Sequence, residues 1–339
     1  MAFPSKIAYG QNSEDVVLRR ALEEVDDGFY VEVGANDPTE SSISRAFYDA
    51  GWRGIAIEPV EALAERYRRE RPRDLVVQAA ATATDVDAVT LHVIEGTGLS
   101  TLVAGISDEH ATVGYEAQPV QVPGRTLDSI LAEAEVTGDI HFMVIDTEGT
   151  EADVLAGLDL TRWRPWVLVV EATLPRTTTP SHGSWEPDLL AAGYELCLFD
   201  GLSRFYVAAE HAERLRDRLS IPAGIVDGFV LLEVHRQQQE NEALQRELES
   251  TRQELGEARD ETGQVREELH GTLQELIRWR GAVLARWAEA AAGGGSVEGR
   301  PNHEVIHLRQ ELAATRATLS WRVTAPLRAV QSRRLRSWR

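Results

Sequence analysis

The residues of this chain best placed to do chemistry are carboxylates that end short apolar runs. Phe29-Tyr30-Val31-Glu32-Val33 runs into Gly34-Ala35-Asn36-Asp37, Gly54-Ile55-Ala56-Ile57 ends in Glu58, Phe142-Met143-Val144-Ile145 ends in Asp146, and Trp166 to Val170 ends in Glu171. Such runs read as buried parallel strands, and in open α/β sheets ligands bind beyond the carboxyl ends of the strands. A buried carboxylate without a partner is costly, so acids at several strand ends point to a shared task. Glu58 follows the first run by about 20 residues, the spacing expected of an acid that holds the two hydroxyls of a ribose. A nucleoside-type cofactor is therefore expected.

The turn after the first run narrows the choice. A dinucleotide fingerprint carries three glycines so that a pyrophosphate can sit on a helix N-terminus. Gly34-Ala35-Asn36-Asp37-Pro38-Thr39 has one glycine, an early acid and a proline. An acid there repels a pyrophosphate but attracts the cationic sulfonium and ammonium of S-adenosylmethionine. Glu32, Gly34, Asn36 and Glu58 are the expected cofactor contacts, joined by Ser100 from the small-residue loop 98–102. An NAD-dependent oxidoreductase is the enzyme alternative, disfavoured by the missing glycines.

Opposite these residues, Asp146 and Glu171 are expected to orient an acceptor or to bind Mg²⁺, whose preferred ligands are oxygens. Glu148 and Glu151 follow Asp146 closely, and Glu151 has a second reading as the cap of the next helix. His182, in the loop Pro180-Ser181-His182-Gly183-Ser184-Trp185-Glu186, is the natural base near neutral pH. His303-Glu304-Val305-Ile306-His307 matches a zinc-protease pattern, yet no Asp, Glu, His or Cys follows Glu311 to complete a site, so the match reads as chance.

The elements that must position these groups alternate. Helical faces at 11–25, 42–50 and 62–70 interleave with strands at 29–33, 54–59 and 75–77, which predicts a parallel sheet with helices on both sides. Further strands are expected at 89–94, 120–122, 142–146 and 166–171, and a closing hairpin, 194–199 and 204–208, puts one antiparallel strand at the sheet's far side. From residue 233 the composition changes: Leu248, Leu255, Thr262, Leu269, Leu276 and Val283 recur every seven residues, with Leu244, Thr251, Ala258, Val265 and Thr272 as companions. The expected organisation is a domain over 1–232, a self-associating coiled coil over 233–291, a Gly-rich linker over 292–302 and a basic helix over 303–339.

Among 339 residues, 35 basic against 55 acidic side chains give a net charge of −20, which argues against non-specific nucleic-acid binding. The last 28 residues, from Leu312, nevertheless hold seven arginines and no acid. With Trp321 and Trp338, that tail suits an anionic membrane surface or an acidic partner. Cys197 is the only cysteine, no apolar run approaches the ~20 residues that span a bilayer, and residues 1–10 lack a signal-peptide pattern. A cytoplasmic protein, peripheral at most to the inner face of the membrane, is expected.

Five motifs in order carry a resemblance: Gln11-Asn12-Ser13-Glu14-Asp15, Val31 to Asn36, Ile57-Glu58-Pro59, Asp146-Thr147-Glu148-Gly149-Thr150-Glu151, and Phe199 to Tyr206. Together, over about residues 5–232, they resemble the FkbM-type S-adenosylmethionine-dependent methyltransferases. The resemblance implies the class I methyltransferase fold, seven strands with the last reversed, and O-methylation of a hydroxyl on a sugar or glycan. The Ser-His-x-x-Trp-Glu loop and the Asp-Gly-x-x-Arg-Phe-Tyr tract look like those found beside surface-polysaccharide glycosyltransferases, which implies Trp185, Asp200 and Arg204 as substrate contacts. Ser203 stands where asparagine is expected. A different class of reading is a catalytically idle domain on a coiled-coil scaffold for glycan assembly.

Overall fold

The computed structural model describes residues 6–292 and 303–317. Contacts divide the chain after Glu247 into two units. In the first unit the strands are β1 (Ile7–Ala8), β2 (Phe29–Val33), β3 (Arg53–Ile57), β4 (Leu75–Val77), β5 (Ala80–Ala81), β6 (Val86–Val93), β7 (Gln118–Arg125), β8 (Phe142–Ile145), β9 (Val167–Glu171), β10 (Tyr194–Phe199), β11 (Ser203–Ala208) and β12 (Val230–Leu231). The helices are α1 (Glu14–Ala21), α2 (Arg45–Asp49), α3 (Glu61–Glu70), α4 (Ala104–Thr112), α5 (Leu127–Glu133), α6 (Glu151–Ala156), α7 (Glu186–Ala191) and α8 (Ala209–Leu219).

Seven strands form one sheet in the order β10-β11-β9-β8-β2-β3-β4. β4, β3, β2, β8 and β9 run parallel, while β11 is antiparallel to both β9 and β10. The reversed strand is thus inserted beside β9 rather than at the margin, and β10 forms the edge. Side chains alternate between two cores, as a period of two requires. Val31, Val33, Ile55, Ile57, Met143 and Ile145 pack with α5, α6 and α7 residues such as Leu131, Val154 and Leu189. Tyr30, Phe142, Val144, Val167 and Val169 pack on the other face with Leu18, Phe47 and Leu215. Burial on both faces is why these strands read as largely apolar runs, with Glu32 the buried exception in β2.

Strand order reverses direction at β2: the chain winds outward to β3 and β4, then returns to place β8 on β2's other side. Such a reversal opens a crevice at the carboxyl ends of the two strands. A three-stranded sheet, β5-β7-β6, and the helix α4 lie between β4 and β8 in the chain. No sequence pattern announces α4, whose buried residues include the polar Ser107 and His110.

The helix α9 runs from Leu232 to Ala292, 61 residues, and α10 from His303 to Ala317. The linker over 293–302 and the part of the arginine tail beyond Ala317, with Trp321 and Trp338, lie outside the described residues. Among the described residues no helix is long and apolar enough to cross a membrane.

Candidate active site

The crevice is built by close main-chain approach. Gly34 has φ +74°, and a Cβ added there would lie 1.8 Å from the carbonyl oxygen of Asp146. The amides of Gly34 and Ala35 both donate to the carbonyl of Ile57 at 3.1 Å, and that of Asp146 donates to Val33 at 3.1 Å. The glycine is therefore demanded by contact between the ends of β2 and β8, a reason separate from the cofactor contact expected of it.

Asn36, also at positive φ (51°), donates its amide to one oxygen of Glu58 at 2.7 Å, while Val60 donates to the other at 2.7 Å. Burial lifts Glu58 to about 7, opposed by those two backbone bonds. Gly34, Asn36, Glu58, Ser100 and Asp146 line one pocket, with Ile57, Leu63 and Leu91 as apolar wall. The hydroxyl of Ser100 accepts from the amide of Ile94 at 3.2 Å. An adjoining hollow shares Gly34, Asn36, Asp146 and Glu148 with this pocket and adds Glu14 and Glu32. Glu32 is committed to protein partners: it accepts from the amide of Ser44 at 3.2 Å and the phenol of Tyr67 at 3.2 Å, and lies 3.8 Å from Arg71. Its carboxylate shapes the loop under the turn.

Beside the pocket, carboxylate oxygens of Asp146, Glu148 and Glu171 all lie within 4.8 Å of one another. Burial first, and mutual repulsion second, holds Glu148 and Glu171 well above the usual carboxylate range, Glu148 at about 8. Burial and the nearby Glu151 lift Asp146 to about 6. Glu148 reaches the cluster because its backbone turns left-handed (φ 54°), followed by Gly149 at φ 103°. One oxygen of Glu151 clamps this loop, accepting from the amides of Thr147 (3.1 Å) and Gly149 (3.0 Å) and the hydroxyl of Thr147 (3.1 Å). Glu171 is 5% exposed, and one oxygen of each of Glu171 and Glu148 has no hydrogen-bond partner. Three crowded oxygen donors, two of them partly unsatisfied, fit a hard divalent cation.

A stability test follows. The folded-state pKa values of these acids lie above their ordinary values, so the protonated cluster stabilises the fold and that contribution is lost as pH rises through about 6 to 8. The melting temperature should fall over that window by a few degrees, at ~2–4 °C per kcal/mol, and millimolar Mg²⁺ should restore it more at pH 8 than at pH 6. A melting temperature flat with pH and unmoved by Mg²⁺ would rule out the cation reading.

The remaining expected residues form a second group on the adjacent strand ends. Thr173 bridges to Pro180 and the amide of Ser181 donates to Ala172 at 2.8 Å, folding the loop back onto the end of β9. His182 opens a short 3₁₀ turn; its Nε2 lies 3.8 Å from Glu186 and its Nδ1 is buried without a partner. Glu186 also accepts from Arg204 at 2.5 Å and from the phenol of Tyr206 at 2.8 Å. Trp185, only 3% exposed, belongs to the core and meets Tyr206 edge-on, so its ring is a wall. Asp200 accepts from the amides of Leu202 and Ser203, closing the hairpin turn, and Ser203 pairs in register with Glu171. No hydrogen bond or ion pair recorded among the described residues joins His182 to Asp146 or Glu171.

Unpartnered buried polar atoms concentrate here. Glu148, Glu171, Ser181, His182, Trp185, Asp200 and Arg204 each carry one. Each such atom costs about 1–3 kcal/mol unless a ligand or water meets it. Glu14 is a pocket residue the strand-end argument misses, since it sits on a helix; burial raises it to about 8, with the charge of Asp200 adding to the effect.

Comparison with known proteins matches the part of the chain that holds Glu58, Asp146, Glu148, Glu171 and His182. Residues 32–196 match the family model described as the Methyltransferase FkbM domain. No curated protein matches the chain.

Proposed function

The chain carries a methyltransferase domain of the FkbM family, and from that premise we propose that it transfers a methyl group from S-adenosylmethionine to a hydroxyl of a sugar or glycan. The observation that carries this reading is the pocket at the β2/β8 switch point, lined by Glu58, Asp146 and Glu148, with Glu171 clustered against the last two. The strand order, with β11 reversed beside β9, agrees with a class I methyltransferase sheet.

In this account Glu58 receives the ribose hydroxyls through the oxygen lone pairs that Asn36 and Val60 leave free, and Gly34, Asn36 and Ser100 complete the cofactor wall. Glu14 and Glu32 line the adjoining hollow. S-adenosylmethionine supplies an electrophilic methyl on sulfur; the acceptor oxygen forms the new C–O bond as the S–C bond breaks. Asp146 and Glu171 orient the hydroxyl, directly or with Mg²⁺ held among the three acids. His182 Nδ1 accepts the proton, Arg204 and Asp200 contact the sugar, and Trp185 backs the site. Alignment supplies ~7–11 kcal/mol, and the base a further ~10²–10⁴-fold.

Incubating the protein with methyl-labelled cofactor and a panel of sugars tests the reading. Label should pass to a sugar hydroxyl, and His182→Ala should lower kcat about 100-fold with little change in KM. Full turnover in His182→Ala would remove it from the mechanism. A domain that is only an idle scaffold would bind no S-adenosylmethionine even at millimolar concentration. The cytoplasmic placement, with the arginine tail against the inner membrane face or a glycan-assembly partner, belongs to the same proposal.

A further inference from the structure

The helix α9 leaves an apolar row uncovered: Leu248, Leu255, Val265, Leu269 and Leu276 are each 45–59% exposed. Set in heptad positions, Leu248, Leu255, Thr262, Leu269 and Leu276 occupy a, and Thr251, Ala258, Val265 and Thr272 occupy d. The flanks then separate by sign. Every g position from 247 to 275 is glutamate, namely Glu247, Glu254, Glu261, Glu268 and Glu275, while e carries Arg252, Arg259, Arg266 and Arg280, broken only by Leu273. Gly256, Gly263 and Gly271 fall at b and c, away from the seam.

We propose that this face pairs with the same face of a second copy in a parallel, in-register two-stranded coiled coil. In a parallel pair the g side chain of one helix lies beside the next e side chain of its partner, and these contacts set orientation. Glu247 then meets Arg252 of the second copy, Glu254 meets Arg259, Glu261 meets Arg266 and Glu275 meets Arg280. An antiparallel pair sets g against g and e against e, facing glutamate with glutamate along the seam. Charge complementarity selects the second copy and its direction at once. Both chains then enter the coil from the same end, which pairs two methyltransferase units in one particle.

Sedimentation equilibrium of the full chain should give twice the 37.5 kDa of one copy. With Cys197→Ser removing the native thiol, Thr251→Cys should cross-link its own kind under mild oxidation, as only an in-register parallel pair allows. Substituting Arg252→Glu, Arg259→Glu and Arg266→Glu together should weaken association on the order of 100-fold. Mixing that variant with one carrying Glu247→Lys, Glu254→Lys and Glu261→Lys should restore a mixed pair. Circular dichroism and cofactor binding check that both variants remain folded. A monomeric wild type, absent Thr251→Cys cross-linking, or a triple arginine variant that associates like wild type would each overturn the proposal.

Discussion

Replacing Gly34 with alanine should abolish S-adenosylmethionine binding and destabilise the methyltransferase domain by about 2 kcal/mol or more. An L-residue held at φ +74° costs ~1–2 kcal/mol by itself. The larger effect is steric, because the added carbon would meet the Asp146 carbonyl at 1.8 Å, inside any allowed contact. Backbone must give way, and what holds it is the set of bonds from Gly34, Ala35 and Asp146 that ties β2 to β3 and β8. Moving the turn moves Asn36 away from Glu58 and opens the pocket. Gly105→Ala is the matched control: it lies in α4 with open space around its Cβ, and it should be neutral or slightly stabilising. Thermal unfolding and cofactor titration read both variants, and a Gly34→Ala protein that binds like wild type would show that the turn does not form the site.

Asp146→Asn and Glu171→Gln should separate stability from activity. Each substitution keeps shape while removing one of the crowded acids whose burial and repulsion disfavour the charged state. At pH 8 the folded protein should therefore melt at the same temperature or higher. Turnover should nevertheless fall on the order of 100- to 1000-fold, since the acceptor loses a carboxyl oxygen that positions it. A merely structural cluster would show the opposite pattern, with stability lost and the activity of the surviving folded fraction intact.

The sheet is legible because β2, β8 and β9 are covered on both faces and are apolar apart from Glu32, which Ser44 and Tyr67 satisfy, and the terminal Glu171. Strand-end logic then reaches Glu58, Asp146 and Glu171 without further information. It stops at groups whose place depends on backbone turns or on distant helices. Glu148 enters the acidic cluster through a left-handed kink, Glu14 comes from α1, and Glu151 is a clamp on the loop rather than a free acid. Trp185 illustrates a different limit, since a tryptophan in a motif is silent about whether its ring faces a ligand or the core. The helix α4 was hidden because its weak apolar periodicity gives no helical face to read.

The central claim is that the pocket between Glu58 and Asp146 binds S-adenosylmethionine. Titration calorimetry of the wild-type chain should show saturable binding at one site per copy, with Kd in the ~1 μM–1 mM range, and no binding by Gly34→Ala. A folded wild-type protein that takes up no S-adenosylmethionine at millimolar concentration would contradict the account.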